Sequence, residues 1–271
     1  MKKMNLFYRT VVLLVFAIAI TVMGVGCCCV DPYDDDDSDR YSAETDSYQD
    51  IMLTAQTGFS LESVNGSIEI QASSSDSVIQ VWAEKKVKAD SQWEADRYLD
   101  QLEVRISSNS DEVFVETRYP HVDDVTFIVN YNIVIPEDMD VQIDHVNGDI
   151  VIRSLKSSAD VDLTNGDIEF VGCHANVWAY LTNGEIGADL TLPEKGTCQL
   201  YVTNGQIELS LPESVSAELD ASIVNGDISI NNLEMTSTQI SNKSTKGILG
   251  DGDGLIKLNV TNGHIDVRGR Y

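Results

Sequence analysis

The chain has 271 residues and carries 44 acidic against 18 basic side chains, a formal net charge of −26 at pH 7. An acidic balance of this size excludes nucleic acid and anionic lipid as partners, because both require a basic surface. It allows cationic polymers, divalent metal or simple solubility.

Lys2, Lys3 and Arg9 precede an uncharged run from Val11 to Val30. A basic start, an apolar stretch and small residues before a break are the marks of an export signal over residues 1–26. Gly24-Val25-Gly26 ahead of Cys27 resembles the lipobox of bacterial lipoproteins, with Cys28 and Cys29 as alternative lipidation sites. An uncleaved signal anchor is the other reading, since about twenty apolar residues can span a bilayer. Both expectations place the rest of the chain outside the cytoplasmic membrane, as an envelope protein anchored to that membrane's outer face or to an outer membrane. The next segment, through residue 50, is rich in Asp and poor in aliphatic residues. That composition predicts a disordered acidic tether over 27–50.

Residues 51–136 hold longer alternating runs, such as VIQVWAEKKVKA and TFIVNYNIVIP, which predict antiparallel strands. Between them, 91-SQWEADRYLDQL-102 predicts one short helix. Ser91 and Glu94 form a capping box, and Trp93, Ala95, Tyr98, Leu99 and Leu102 make its apolar stripe. Such a region suits an end cap on a repeat array over 137–271.

The repeat itself is Asn-Gly followed one residue later by Ile. It occurs at Asn65-Gly66, Asn147-Gly148, Asn165-Gly166, Asn183-Gly184, Asn204-Gly205, Asn225-Gly226 and Asn262-Gly263. The last six copies are spaced by 18, 18, 21, 21 and 37 residues, and 246-KGIL-249 reads as a degraded copy inside the longest gap. Alternation on either side of each pair predicts two short strands with one buried face each. Both strands can bury the same side only if the chain turns at Asn-Gly, a step that these two residues tolerate. Stacked coils of a β-solenoid with 18–21-residue repeats fit this pattern, and so does an antiparallel meander of hairpins. Near-identical corners with heterogeneous linking segments favour the solenoid, where superposed Asn side chains can form a ladder.

The ordered series ESVNGSIEI, VWAEKKVKA, SQWEADRYLDQLEV, DEVFVETRYP, YNIVIP and serial VNGDI/TNGDI repeats resembles the bacterial domain of unknown function called "putative adhesin". The resemblance covers roughly residues 53–271. It implies a β-solenoid-like fold, an envelope location and no established catalytic residues.

Beyond the repeat, candidate chemistry is sparse. Asp149, Asp167 and Glu185 follow successive Asn-Gly pairs and would form a carboxylate row, a possible Ca²⁺ site set against a merely solvated edge. Otherwise no cofactor is expected. Cys173 and Cys198 fall at apolar repeat positions, either as buried thiols or as a disulfide that export permits. Trp178, Tyr180 and Tyr201 share an outward face on neighbouring coils, where aromatic rings could meet sugar rings. The expected function is therefore non-catalytic: a membrane-anchored scaffold or adhesin presenting an acidic face to an extracellular ligand, a glycan among the candidates. A carbohydrate-active solenoid and an envelope-stress signalling accessory are the alternatives.

Overall fold

The computed structural model describes residues 40–74 and 77–270. The export signal over 1–26, Cys27, Cys28, Cys29 and the first part of the predicted tether lie outside the described residues. The elements are β1 (Tyr41–Met52), β2 (Gly58–Glu62), β3 (Ile68–Ser73), β4 (Val78–Ala89), α1 (Gln92–Leu99), β5 (Glu103–Ser108), β6 (Glu112–Arg118) and β7 (Thr126–Pro136). They continue as β8 (Asp140–Asn147), β9 (Ile150–Arg153), β10 (Ser158–Asn165), β11 (Ile168–Cys173), β12 (Asn176–Leu190), β13 (Thr197–Pro212) and β14 (Ala217–Asn231). The last three are β15 (Met235–Ser241), β16 (Ser244–Leu249) and β17 (Gly254–Arg270).

All 17 strands join one continuous sheet, folded along the Asn-Gly line into two walls. The rungs run β6/β7, β2/β3, β8/β9, β10/β11, β12, β13, β17, β14, and every neighbouring pair is parallel. The architecture is thus a stack of coils, and the meander is ruled out for the repeat. Inward residues of both walls merge into a single core running from Phe59 to Val267. The Ile two places after Gly is fully enclosed on six rungs: Ile68, Ile150, Ile168, Ile186, Ile207 and Ile265. Each such side chain contributes about 1.5–3 kcal/mol by leaving water.

The order of rungs departs from the order of the chain at both ends. The coil β2/β3 lies between β6/β7 and β8/β9, although β7 and β8 are joined by only residues 137–139. Likewise β17 lies between β13 and β14, which are consecutive in sequence and joined by residues 213–216. Residue 136 is therefore no boundary, because the coil at Asn65 and strands β6 and β7 are rungs of the same stack.

Antiparallel strands close the stack. At one end β4 pairs with β7, β1 with β4, and β5 with β6. At the other, the β15–β16 hairpin pairs through β16 with β14. The segment 246-KGIL-249 is part of that hairpin and not a degraded coil, since Gly247 meets Leu219 in antiparallel register away from any corner. The tether expectation also needs correction: residues 41–50 form most of β1, matched residue for residue with β4. β1 buries only Ala43 and is held by ladder hydrogen bonds on β4, which hydropathy does not reveal. The helix is capped by Ser91 as expected, but Trp93 is 67% exposed beneath the Arg97 guanidinium instead of lying on the buried stripe.

The corner ladders and an acidic notch on the first wall

At each corner the glycine has φ between +119° and +147°, a region closed to side-chain-bearing residues. A Cβ built there would lie 1.6–2.3 Å from a carbonyl oxygen of the adjoining rung. Glycine is therefore required twice, by conformation and by contact. The asparagines are not in positive φ, so their backbone tolerance is not why they recur. Their side chains form the ladder: Asn147 Nδ2 donates to Asn65 Oδ1 at 2.8 Å, Asn165 to Asn147 and Asn183 to Asn165 at 2.8 Å, and Asn204 to Asn183 at 3.0 Å. It continues through Asn262 to Asn204 at 2.9 Å and Asn225 to Asn262 at 2.8 Å, in rung order and not chain order.

The carboxylate row beside it serves the same corner. Asp149 Oδ1 accepts from the Asp167 backbone N–H at 3.0 Å, Asp167 Oδ1 from that of Glu185 at 2.8 Å, and Glu185 Oε2 from Gln206 Nε2 at 2.6 Å. Among the described residues no three His, Cys, Asp or Glu side chains converge as a metal site. These acids stitch coil to coil.

His145 interrupts the apolar column that Leu163, Leu181, Val202 and Val260 continue. Its ring is buried and donates from Nε2 to the Gly66 carbonyl at 2.8 Å, leaving Nδ1 enclosed without a partner. Desolvation lowers its pKa below the ordinary value, against the raising effect of backbone hydrogen bonds. Nearby, Thr117 Oγ1 joins Ser63 Oγ and the phenol of Tyr131, whose pKa burial pushes up to about 12.

Cys173 and Cys198 are free thiols. The disulfide is excluded because they occupy opposite walls and different rungs, Cys173 beside Leu190 and Cys198 beside Val177. A bridge would have to cross the spacing between walls, about 10 Å, as well as two spacings between coils of about 4.8 Å each. Burial raises both thiols, Cys198 to about 12, so neither is a ready nucleophile.

The outer face of the first wall carries a groove of ≈ 650 Å³ lying along the residues just before the corner. Tyr180 and Tyr201 meet there, paired across β12 and β13, whereas Trp178 stands opposite Gln199 and is not among the residues that line the groove. The two tyrosine rings lie 4.7 Å apart and 4° from parallel. Coplanar rings at that separation would collide, so they are stacked face to face. Lys257 Nζ sits 5.9 Å from the far side of Tyr201, which leaves the Tyr180 face toward Asp162 as the open one.

The residues continuing the tyrosine column in that direction are Asp162, Asp144 and Glu62, with Asp160 alongside. All four are exposed, and none has an ion-pair or hydrogen-bond partner for its side chain among the described residues. Carboxylates one rung apart repel by about 1 kcal/mol even at the permittivity of water. Asp160 and Asp162 are raised above the ordinary carboxylate pKa by partial burial first, then by Asp144. The result is a notch with a short acidic floor and a tyrosine wall 43% exposed at its end. These acids were missed in the sequence, although Glu62, Asp144 and Asp162 stand four residues before Gly, the same position as Tyr180 and Tyr201.

A profile described as Toastrack DUF4097 matches residues 121–268, more than half of the chain. A search of curated proteins finds no match. A solved "putative cell adhesion protein" from Clostridium sporogenes is similar at 11% identity and a TM-score of 0.44, covering 83% of this chain and 100% of its own. A "putative adhesin" from Bacteroides fragilis is similar at 9% identity and a TM-score of 0.32, covering 83% and 97%. Scores of this size describe a loosely shared outline, so the assignment rests on the profile match together with the stacked Asn-Gly coils. The chain belongs to the Toastrack DUF4097 family.

Proposed function

We infer that this protein is a non-catalytic envelope adhesin, which holds an extended glycan in the notch on its first wall. The observation that carries the reading is the pairing of an open tyrosine face with a floor of unpartnered carboxylates. A pyranose ring offers both complements: an apolar C–H face for Tyr180, and hydroxyl or ammonium donors for Asp162, Asp144 and Glu62. The rigid column behind the notch supports recognition without rearrangement, because the groove residues sit on strands locked by the corner ladders.

Catalysis is not part of this reading. The notch acids form one like-charged row in which Asp160 and Asp162 are raised together by partial burial, whereas sugar hydrolysis needs an acid and a base driven apart. The basic, apolar N-terminus supports export and anchoring, which would display the stack outside the cell. The names given to structural relatives agree with adhesion but add no weight of their own.

The exported protein should be applied to an array of neutral, amino-sugar and uronic-acid glycans, with polysaccharide turnover followed alongside. Binding that falls at least tenfold in Tyr180→Ala and Asp162→Asn, with melting temperature held, is the expected result. Absence of binding across the array would overturn the glycan assignment. Depolymerisation lost on substituting Asp144 or Asp162 would overturn the non-catalytic one.

A further inference from the structure

The placement of β17 raises a question that the adhesive reading does not answer. Strands β13 and β14 follow one another in the chain, and their corners at Asn204 and Asn225 are 21 residues apart. The corners at Asn183 and Asn204 are also 21 apart, and there β12 and β13 pair directly in register. The chain length between β13 and β14 is therefore sufficient for direct stacking as well. Instead they stand two rungs apart, with β17 paired in parallel along its length to β13 on one side and to β14 on the other. β17 is also synthesised after both β13 and β14, so it enters between two partners that already exist.

The slot is selective. It requires glycine at the corner, where a Cβ at Gly263 would lie 1.6 Å from the Gly205 oxygen. It requires Asn262 to bridge Asn204 and Asn225, and Ile265 and Val267 to fill the core. β17 is joined to β16 by the loop 250–253, in which Gly250 and Gly252 have positive φ and Asp251 and Asp253 are exposed. Ser216 Oγ anchors this loop, accepting from the Asp251 and Asp253 N–H groups at 3.1 and 3.2 Å.

We propose that the β13–β14 slot is an acceptor for strand β17 of a second copy, and that two chains exchange β17 reciprocally by opening the loop 250–253. A strand with the required corner, ladder and core residues is carried by every copy. The exchanged and closed forms share every contact of β17 and differ only at the hinge, the condition under which strand exchange has little thermodynamic cost. Tethering many copies to one membrane would raise their effective concentration and favour the exchange.

Gln199 and Lys257 are directly paired across β13 and β17, which supplies a test. In a full-length background with the five native cysteines replaced by alanine, Gln199→Cys and Lys257→Cys chains are unfolded together, refolded at high concentration and oxidised. The expected product is a covalent dimer containing one chain of each kind, absent when either variant is refolded alone. The double variant Gln199→Cys/Lys257→Cys should close internally at low concentration. Deleting Gly252 and Asp253 should raise the dimer-to-monomer ratio at least tenfold, because the shortened hinge cannot return β17 to its own slot. Exclusively monomeric refolding with no mixed dimer, while the double variant closes internally, would overturn the exchange. Failure of the double variant to close would overturn the placement of β17 on which it rests.

Discussion

The corner and the outer face of the first wall are built from the same coils but follow opposite rules. At the corner every rung but β6/β7 repeats Asn-Gly, and the carboxylates of Asp149 and Asp167 are each engaged by a backbone N–H of the next coil. Two to four residues earlier, the rungs differ from one another: Glu62, Asp144, Asp162, Tyr180, Tyr201 and Asn259 occupy equivalent places. There the acids lack partners. Repetition marks the positions where one coil holds the next, and variation marks the face left free for a ligand.

Substitutions can break this contrast or sharpen it. The largest effect is expected of Gly205→Ala, whose Cβ would lie 1.7 Å from the Gly184 oxygen at φ +142°. Neither strain nor overlap can relax without parting the rungs, so the variant should fail to fold cooperatively, as circular dichroism and proteolysis would reveal. Asn183→Ala removes two ladder hydrogen bonds, to Asn165 and from Asn204. At about 0.5–1.5 kcal/mol for each bond, chemical denaturation should show a loss of about 1–3 kcal/mol.

His145→Leu probes a rung where the column turns polar. The folded chain resists protonating this ring while the unfolded chain takes up a proton near the ordinary 6.5. Unfolding is therefore favoured as pH falls below that value, and the contribution is absent well above it. The variant should melt above the parent, by a margin that widens from neutral toward mildly acidic pH. A constant margin would show that His145 does not titrate between the two states. The smallest effect on stability belongs to Asp162→Asn on the outer face. It relieves repulsion from Asp144 and Asp160, so its melting temperature should match or slightly exceed the parent's at neutral pH. An appreciable fall would show that the notch is structural after all.

Much of this fold was legible because its repeat is so regular. The inward Ile after each Gly, the two-strand coil and the Ser91 cap follow from spacing and side-chain type. Three features do not. β1 is composed of residues such as Ser42, Glu44, Thr45 and Asp46, and it pairs through backbone groups common to all sequences. The rung order is invisible because Asn225 and Asn262 satisfy the same ladder whichever stands next to Asn204. The notch floor was hidden because an isolated Asp reads as a solvated charge until the register aligns it with Tyr180.

The two clasped rungs also govern how such a protein can grow or shrink. In a simple array the last unit written is the outermost one, so units can be appended or trimmed at the tail with graded effect. Here β17 lies inside the object, and deleting it would leave a gap between layers that are covalently joined. Duplication or loss of coils should therefore be tolerated only in the middle, between β8 and β13, with both extremities inherited as fixed fittings.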